Sequence, residues 1–295
     1  MRRSNRTGPG TGRDDAQSAV GGPDAAGAGG PAAGGTDPLA VTGVDGCARG
    51  WVAVTLRLAG PDRAAGPDQA SGAGAVRVPV AGVPLGSVTG VGVTVAERLD
   101  LLPLTAVTGI DMPLGLLAAG WRDADLLARR ALGRRGVTVF AIPPRPVWER
   151  ATYAEAGRLC REITGQGLSI QAWGLRRKIA EADQFRRRAS REVSPGAGPC
   201  PVRLHEVHPE LSFTAMAGAP LPDSKHAPAG LAARRELLRQ AGITLPARVV
   251  GAAEDDLLDA AAVAWSARRI AAGTAVTLAN ATQRADDGTE IAIRY

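Results

Sequence analysis

Two apolar, β-rich stretches of this chain end in the same way: TGVDGC carries Asp45 and TGIDMPLG carries Asp111. An ionised carboxylate at such a position is costly unless something positive meets it. A structural explanation exists for each, since an aspartate at a strand end can hydrogen-bond the following turn and glycines flank both. Two apolar strands that both end in an acid shift the weight toward a shared site.

A third acidic group lies near the C-terminus in EDDLLDAAAVAW, where Asp256 and Asp259 are three residues apart and therefore share one face of a helix. Glu254 and Asp255 are explained as solvated first-turn acids favoured by the helix dipole, whereas Asp259 borders the alanine-rich packing face. The string LHEVHPELSF adds Glu206, with His205, His208 and Glu210 as neighbours. It is not a zinc-protease HExxH motif, because Pro209 stands where the second histidine is needed and is expected to break the helix. Extended-strand alternation would put Glu206, His208 and Glu210 on one face and His205 on the other. Glu206 or Glu210 is then a candidate ligand, and either histidine a packed residue or a proton shuttle.

A set of carboxylates with no soft ligands suits Mg²⁺ or Mn²⁺, and a pair of such ions can activate water and stabilise a leaving oxygen in phosphodiester hydrolysis. The expected metal ligands are Asp45, Asp111, Asp256 and Asp259, with Glu206 completing the catalytic shell. Lys225, in the loop DSKHAPAG, and Arg145, in PPRP, are candidates to meet a phosphate. Gln171 and Lys178 belong to a helical stretch in which Trp173 is expected in the core and Gln171 along a cleft. The chain has neither GxxxxGK[ST] nor GxSxG, so P-loop NTPases and α/β-hydrolases lack their motifs here.

The elements that must position these residues follow from composition and pattern. With 295 residues and 45% hydrophobic content the chain can bury a sizeable core. Residues 1–38, rich in Gly, Ala and Pro, are expected to be a disordered tail, and residues 39–295 an α/β domain. There is no apolar run of about 18 residues and no readable signal peptide, which places the protein in the cytoplasm. Three cysteines, odd in number and without a CxxC pair, argue for reduced thiols. The formal charge of +6 is almost all arginine, Lys178 and Lys225 being the only lysines. Such basicity suits a polyanionic partner and accords with a nucleic acid substrate.

Along the chain, LAVTGVDGCARGWVAVTLRL predicts a hairpin, Val76–Val83 a third strand, Val95–Leu102 a short helix, and LTAVTGID a further strand. Helices are predicted over Asp123–Leu132, Tyr153–Ile163, Ile170–Arg188, Gly230–Ala241 and the DDLLDAAAVAWSARRIA segment, with VFAIPPRPVW irregular. Those between residues 150 and 192 form a helical insertion. VRLHEVHPELSF is expected to be a strand and turn, EIAIRY a closing strand, and the segments from Gly60 to Ala75 and from Val193 to Pro201 a loop and a linker.

The motifs GVDGCARGW, GIDMPLG, VFAIPPRPVW, GQGLSIQAWGLRRKIAEAD, HEVHPELSF, SK and EDDLLDAAAVAW occur in an order that resembles domain-of-unknown-function family 429 over residues 40–295. The resemblance implies a ribonuclease-H-like fold, described for that family as predicted nucleases. It implies a mixed five-stranded sheet flanked by helices, with an acid on the first strand, another ending the fourth, and one or two more on a late helix. Asp45, Asp111 and the pair Asp256 and Asp259 match those stations. HEVHPE and SIQAW are features of this family and not of ribonuclease H enzymes in general. The leading expectation is a metal-dependent nuclease. The alternatives are a nucleotide-binding phosphotransferase of the actin and sugar-kinase type, which normally needs a duplicated domain, and a non-enzymatic nucleic-acid-binding module.

Overall fold

The computed structural model describes residues 39–59, 86–191 and 202–295. β1 (Ala40–Cys47) and β2 (Gly50–Leu58) form the expected hairpin, with Cys47 opposite Gly50 and Gly50 at a positive φ of 126° that closes the tight turn. β3 (Val88–Ala96) adds antiparallel to β2, while β4 (Val107–Ile110) and β5 (Arg203–Val207) extend the sheet in parallel on the other side of β1. β7 (Glu290–Arg294) pairs in parallel with β5, and β6 (Thr277–Arg284) closes the edge antiparallel to β7. The sheet is mixed and has seven strands, in the order β3-β2-β1-β4-β5-β7-β6.

Among the described residues eight α-helices flank it. α1 (Asp123–Leu132), α2 (Arg145–Trp148), α3 (Tyr153–Thr164), α4 (Ile170–Gly174) and α5 (Arg176–Arg191) all lie between β4 and β5 in the chain. α6 (Pro209–Ala217) and α7 (Pro228–Gln240) follow β5, and α8 (Glu254–Ala271) precedes β6. One core packs α8 and α7 against β1 and β2 through Val41, Val52, Val54, Leu56, Leu238, Leu257 and Leu258. The opposite face of the same strands, with Val44, Trp51, Ala53 and Ile110, packs on Ile179 and Ala182 of α5. Each large side chain so buried contributes about 1.5–3 kcal/mol. Among the described residues no helix is long and apolar enough to cross a membrane.

Several expectations are corrected, each for a physical reason. The sheet exceeds five strands because β6 and β7 form a hairpin at its edge; β6 is half exposed and polar (TLANATQR), so it carries little apolar alternation. The helix expected over Val95–Leu102 is the end of β3 followed by a 3₁₀ turn at Leu99–Leu101, since the alternating, β-branched VTGVGVTVA favours a strand. The single helix over Ile170–Arg188 is two, α4 and α5, divided after Gly174: Trp173 is drawn into the cluster around Cys160, whereas Ile179 faces the sheet. VFAIPPRPVW contains the short α2, begun by proline. Pro209 does not stop a helix but starts α6 at its first position, where no backbone donor is needed. Glu210 therefore lies on α6 rather than on a strand. The tail, the strand at Val76–Val83, the loop from Gly60 to Ala75 and the linker from Val193 to Pro201 lie outside the described residues, apart from the tail's junction at residue 39.

α8 approaches the sheet closely because β1 and β4 present glycines to it in register, Gly43 opposite Gly109. A methyl group at Gly43 would overlap the backbone of Ala264 and Ala260, and one at Gly109 would press on Val263. Gly43→Ala is therefore expected to destabilise the protein by about 3 kcal/mol or more in urea unfolding. Gly92→Ala, on β3 with no neighbour nearer than the Thr55 carbonyl at 4.0 Å, should leave stability within about 0.5 kcal/mol.

Candidate metal centre

Side chains alternate along a strand, so Asp45 leaves the sheet on the face of Gly43, and Asp111 on that of Gly109. Both acids thus follow a glycine that seats α8, and both point to the helix. Asp259, one residue before Ala260 on α8, faces them, and carboxylate oxygens of Asp45, Asp111 and Asp259 lie within 4.8 Å of one another. Asp45 is 8% and Asp259 2% exposed, with Asp111 half-buried. The strand ends are pinned by hydrogen bonds from the Asp111 amide to the Val44 carbonyl (2.9 Å) and from the Gly46 amide to Asp45 Oδ1 (2.6 Å).

These acids line the floor of a cavity of about 560 Å³ that also takes in Lys178, Lys225, Asp256, His208 and an apolar wall containing Phe140 and Leu175. Burial, then repulsion from Asp111 and Asp259, raises the Asp45 carboxyl well above its ordinary range. Burial, then Asp259, raises Asp111 to about 8. Asp259 is raised by burial although Lys225 opposes the shift. The Lys225 ammonium donates to Asp259 Oδ2 at 2.6 Å, while Asp259 Oδ1 is buried with no partner among the described residues. Three converging carboxylates and an orphaned carboxylate oxygen are a donor set that fits a hard cation, and the triad could hold a metal ion.

The other expected residues fall into different settings. Asp256 lines the cavity but lies outside the triad, and its Oδ2 accepts from the Ala253 amide at 3.3 Å, capping the first turn of α8. Glu206 pairs in register with Ile110, so its side chain leaves the sheet on the face away from α8. There it receives Arg122 Nη2 at 2.6 Å and the Leu114 amide at 2.7 Å, which fastens the MPLG loop after β4. Burial outweighs Arg122 and raises Glu206 to about 7. Lys178 donates to the carbonyls of Cys47 (3.1 Å) and Gly50 and stands 4.8 Å over the Trp51 ring, steadying the hairpin turn. Arg145 is bound by Asp183 and Asp286 in a network with Arg186 and Arg187 that ties α2 and α5 to the β6–β7 turn. It does not line the cavity, and neither does Gln171, which is exposed on α4.

Burial lowers His205 and His208 to about 4, so both are neutral near pH 7. His208 caps α6 from the cavity wall, with Nε2 3.5 Å from the Thr138 carbonyl and Nδ1 buried without a partner. In the neutral ring one nitrogen carries the proton and the other is an acceptor. Sequence reading passed over the fully buried Arg122 and Arg234, the partners of Glu206 and Glu210. It also passed over Arg135, whose guanidinium binds the carbonyls of Leu221, Pro222 and Asp223 in the loop before Lys225. No local signal sets these three apart in a chain so rich in arginine.

The chain belongs to DUF429, a family of proteins of unknown function, whose model matches residues 43–284. No curated protein and no solved structure matches it.

Folding raises Asp111 from 3.8 to about 8, so between those values the folded chain holds a proton that the unfolded chain releases. Its favourable effect is complete below the lower value and lost as pH rises through the upper one. The melting temperature of metal-free protein should therefore carry a downward component between about pH 5 and about pH 8 that Asp111→Asn removes. In contrast, Glu206→Gln should cost on the order of 3 kcal/mol in urea unfolding, because it strips a buried arginine of its nearest counter-charge.

Proposed function

We propose that this member of the DUF429 family is a metal-dependent phosphodiesterase, a nuclease that acts on nucleic acid. The observation that carries the reading is the meeting of Asp45, Asp111 and Asp259, from two adjacent strand ends and one helix, with oxygens within 4.8 Å of one another and Asp45 and Asp259 buried. Like charges held this close are unfavourable for the fold unless a cation meets them. A site so arranged is built for a ligand and not for stability.

The topology supports a ribonuclease-H-like assignment. Strands β3-β2-β1-β4-β5 form a continuous five-stranded part of the sheet with β2 antiparallel to β1 and β4 parallel to it. The acids stand on its first strand, just past its fourth, and on the late helix α8, the stations that the motif resemblance implies. The all-carboxylate donor set favours Mg²⁺ or Mn²⁺ over softer ions. Such an ion supplies Lewis acidity toward a phosphoryl oxygen and the means to ionise water near neutral pH.

The chain's own groups complete the arrangement. Asp45, Asp111 and Asp259 would hold the ion at a fixed place relative to the sheet. Lys225 and Lys178 supply positive charge at the cavity wall, where a phosphodiester brings negative charge. The neutral His208 stands on the cavity wall beside them. The excess of arginine, with a formal charge of +6, favours a polyanionic substrate over a neutral one.

Labelled DNA and RNA incubated with Mn²⁺ or Mg²⁺ test this directly. Wild type should cleave at least one of them only when metal is present, and Asp45→Asn or Asp259→Asn should lose more than about a hundredfold, since even outer-shell partners of a metal are worth 10–100-fold. Metal should also raise the melting temperature of wild type and not of Asp259→Asn. A wild-type protein that neither cleaves nor responds to metal would sink the proposal.

A further inference from the structure

The carboxylate stations in the sequence suggest a pair of metal ions, and the arrangement of side chains suggests a different division of charge. We propose that the site takes a single divalent ion and that the ammonium of Lys225 stands in the place of a second. This deepens the phosphodiesterase reading and rests on it.

The supply of ligands suits one ion. Among the described residues the converging group contains Asp45, Asp111 and Asp259 and no fourth acid. The other nearby carboxylates have contacts of their own: Asp255 lies 3.4 Å from His226 Nδ1, Asp256 accepts from the Ala253 amide, Glu206 is held by Arg122 and Leu114, and Glu210 by Arg234. Two adjacent divalent ions would set four positive charges, and the Lys225 ammonium a fifth, against three carboxylates. Three carboxylates and one ammonium leave the charge of one divalent ion to be met.

Lys225 stands where a second cation would be. Lys225 Nζ is 2.6 Å from Asp259 Oδ2 and 3.8 Å from Asp255 Oδ2, on the edge of the triad. Asp259 Oδ1, on the same carboxylate, is the buried oxygen without a partner. One carboxylate thus has one oxygen on the resident ammonium and the other turned away from it. The ammonium also has donors beyond the one given to Asp259, available to a phosphate oxygen.

The loop that carries the lysine is held in place from two sides. Arg135 binds three successive carbonyls of its loop, at Leu221, Pro222 and Asp223. From the other side, Arg234 donates to the Gly230 carbonyl at 3.1 Å and lies 3.4 Å from that of Asp223. The start of α7 closes on the loop so tightly that a methyl group at Gly230 would overlap the Ser224 carbonyl. Lys225 is moreover one of only two lysines in a chain whose cations are otherwise arginine. A compact ammonium can occupy the place of a small ion, whereas a planar guanidinium cannot.

Calorimetric titration of the full chain with Mn²⁺, without nucleic acid, tests the assignment. Wild type should bind one ion at the triad, abolished by Asp259→Asn. Lys225→Gln, which keeps most of the side-chain volume, should bind the first ion about tenfold more tightly or admit a second; Lys225→Ala repeats the test with a smaller residue. Two ions at the wild-type triad would overturn the role of Lys225 and leave the phosphodiesterase reading intact. One ion with affinity unchanged or weakened in the neutral variants would overturn it too. No ion in wild type would remove the assignment together with the metal-dependent reading.

Discussion

The contact on which the rest of this structure depends is that of α8 with two glycines. At Gly43 on β1 and Gly109 on β4 the strands carry no side chain, and the helix meets them with Ala260, Val263 and Ala264. That close approach lets α8 run across the centre of the sheet, and it fixes the height of the helix above the strands. One step further along each strand on the same face stand Asp45 and Asp111, and just before the contact residues of the helix stands Asp259. Packing and site are therefore parts of one arrangement. The glycines bring the helix down, and the acids beyond them are brought together as a consequence.

The way buried charge is handled separates scaffold from site. Glu206 with Arg122 and Glu210 with Arg234 are pairs in which each carboxylate has a guanidinium partner, and both arginines are fully buried. Such pairs add little net stability against apolar replacements but are costly to break, so they hold loops and helices in one geometry. The triad is handled differently. Its acids repel one another, burial raises all three carboxyls, and one lysine is the close cation on them. The fold tolerates this cluster because the packing of α8 over β1 and β4 outweighs it.

Lys178 and Lys225 face the same cavity from opposite parts of the chain, one on α5 and the other in the loop before α7. Lys178 is anchored to backbone carbonyls of the β1–β2 turn, and Lys225 to Asp259. In a chain where arginine fills almost every other cationic position, both retained lysines border the acids. An ammonium can insert between carbonyl or carboxylate oxygens in a space that a guanidinium would overfill.

The elements with strong periodicity were legible in the sequence: the β1–β2 hairpin, β4, α1, α3, α7 and α8 each arise from local pattern, because alternation and helical spacing are properties of neighbouring residues. The acids at the ends of GVD and GID and on DDLLD were equally visible as chemistry. Their meeting was not, since it depends on the parallel register of β1 with β4 and on the height of α8. Register likewise decided that Glu206, one residue out of phase with Asp111, turns to the opposite face and binds Arg122. Pro209 looked like a helix breaker until the chain direction after β5 made it a helix start. Sequence alone determined which residues could carry charge into the interior; only the tertiary structure decided which of those charges find a partner, because pairing is set by distances between segments far apart in the chain.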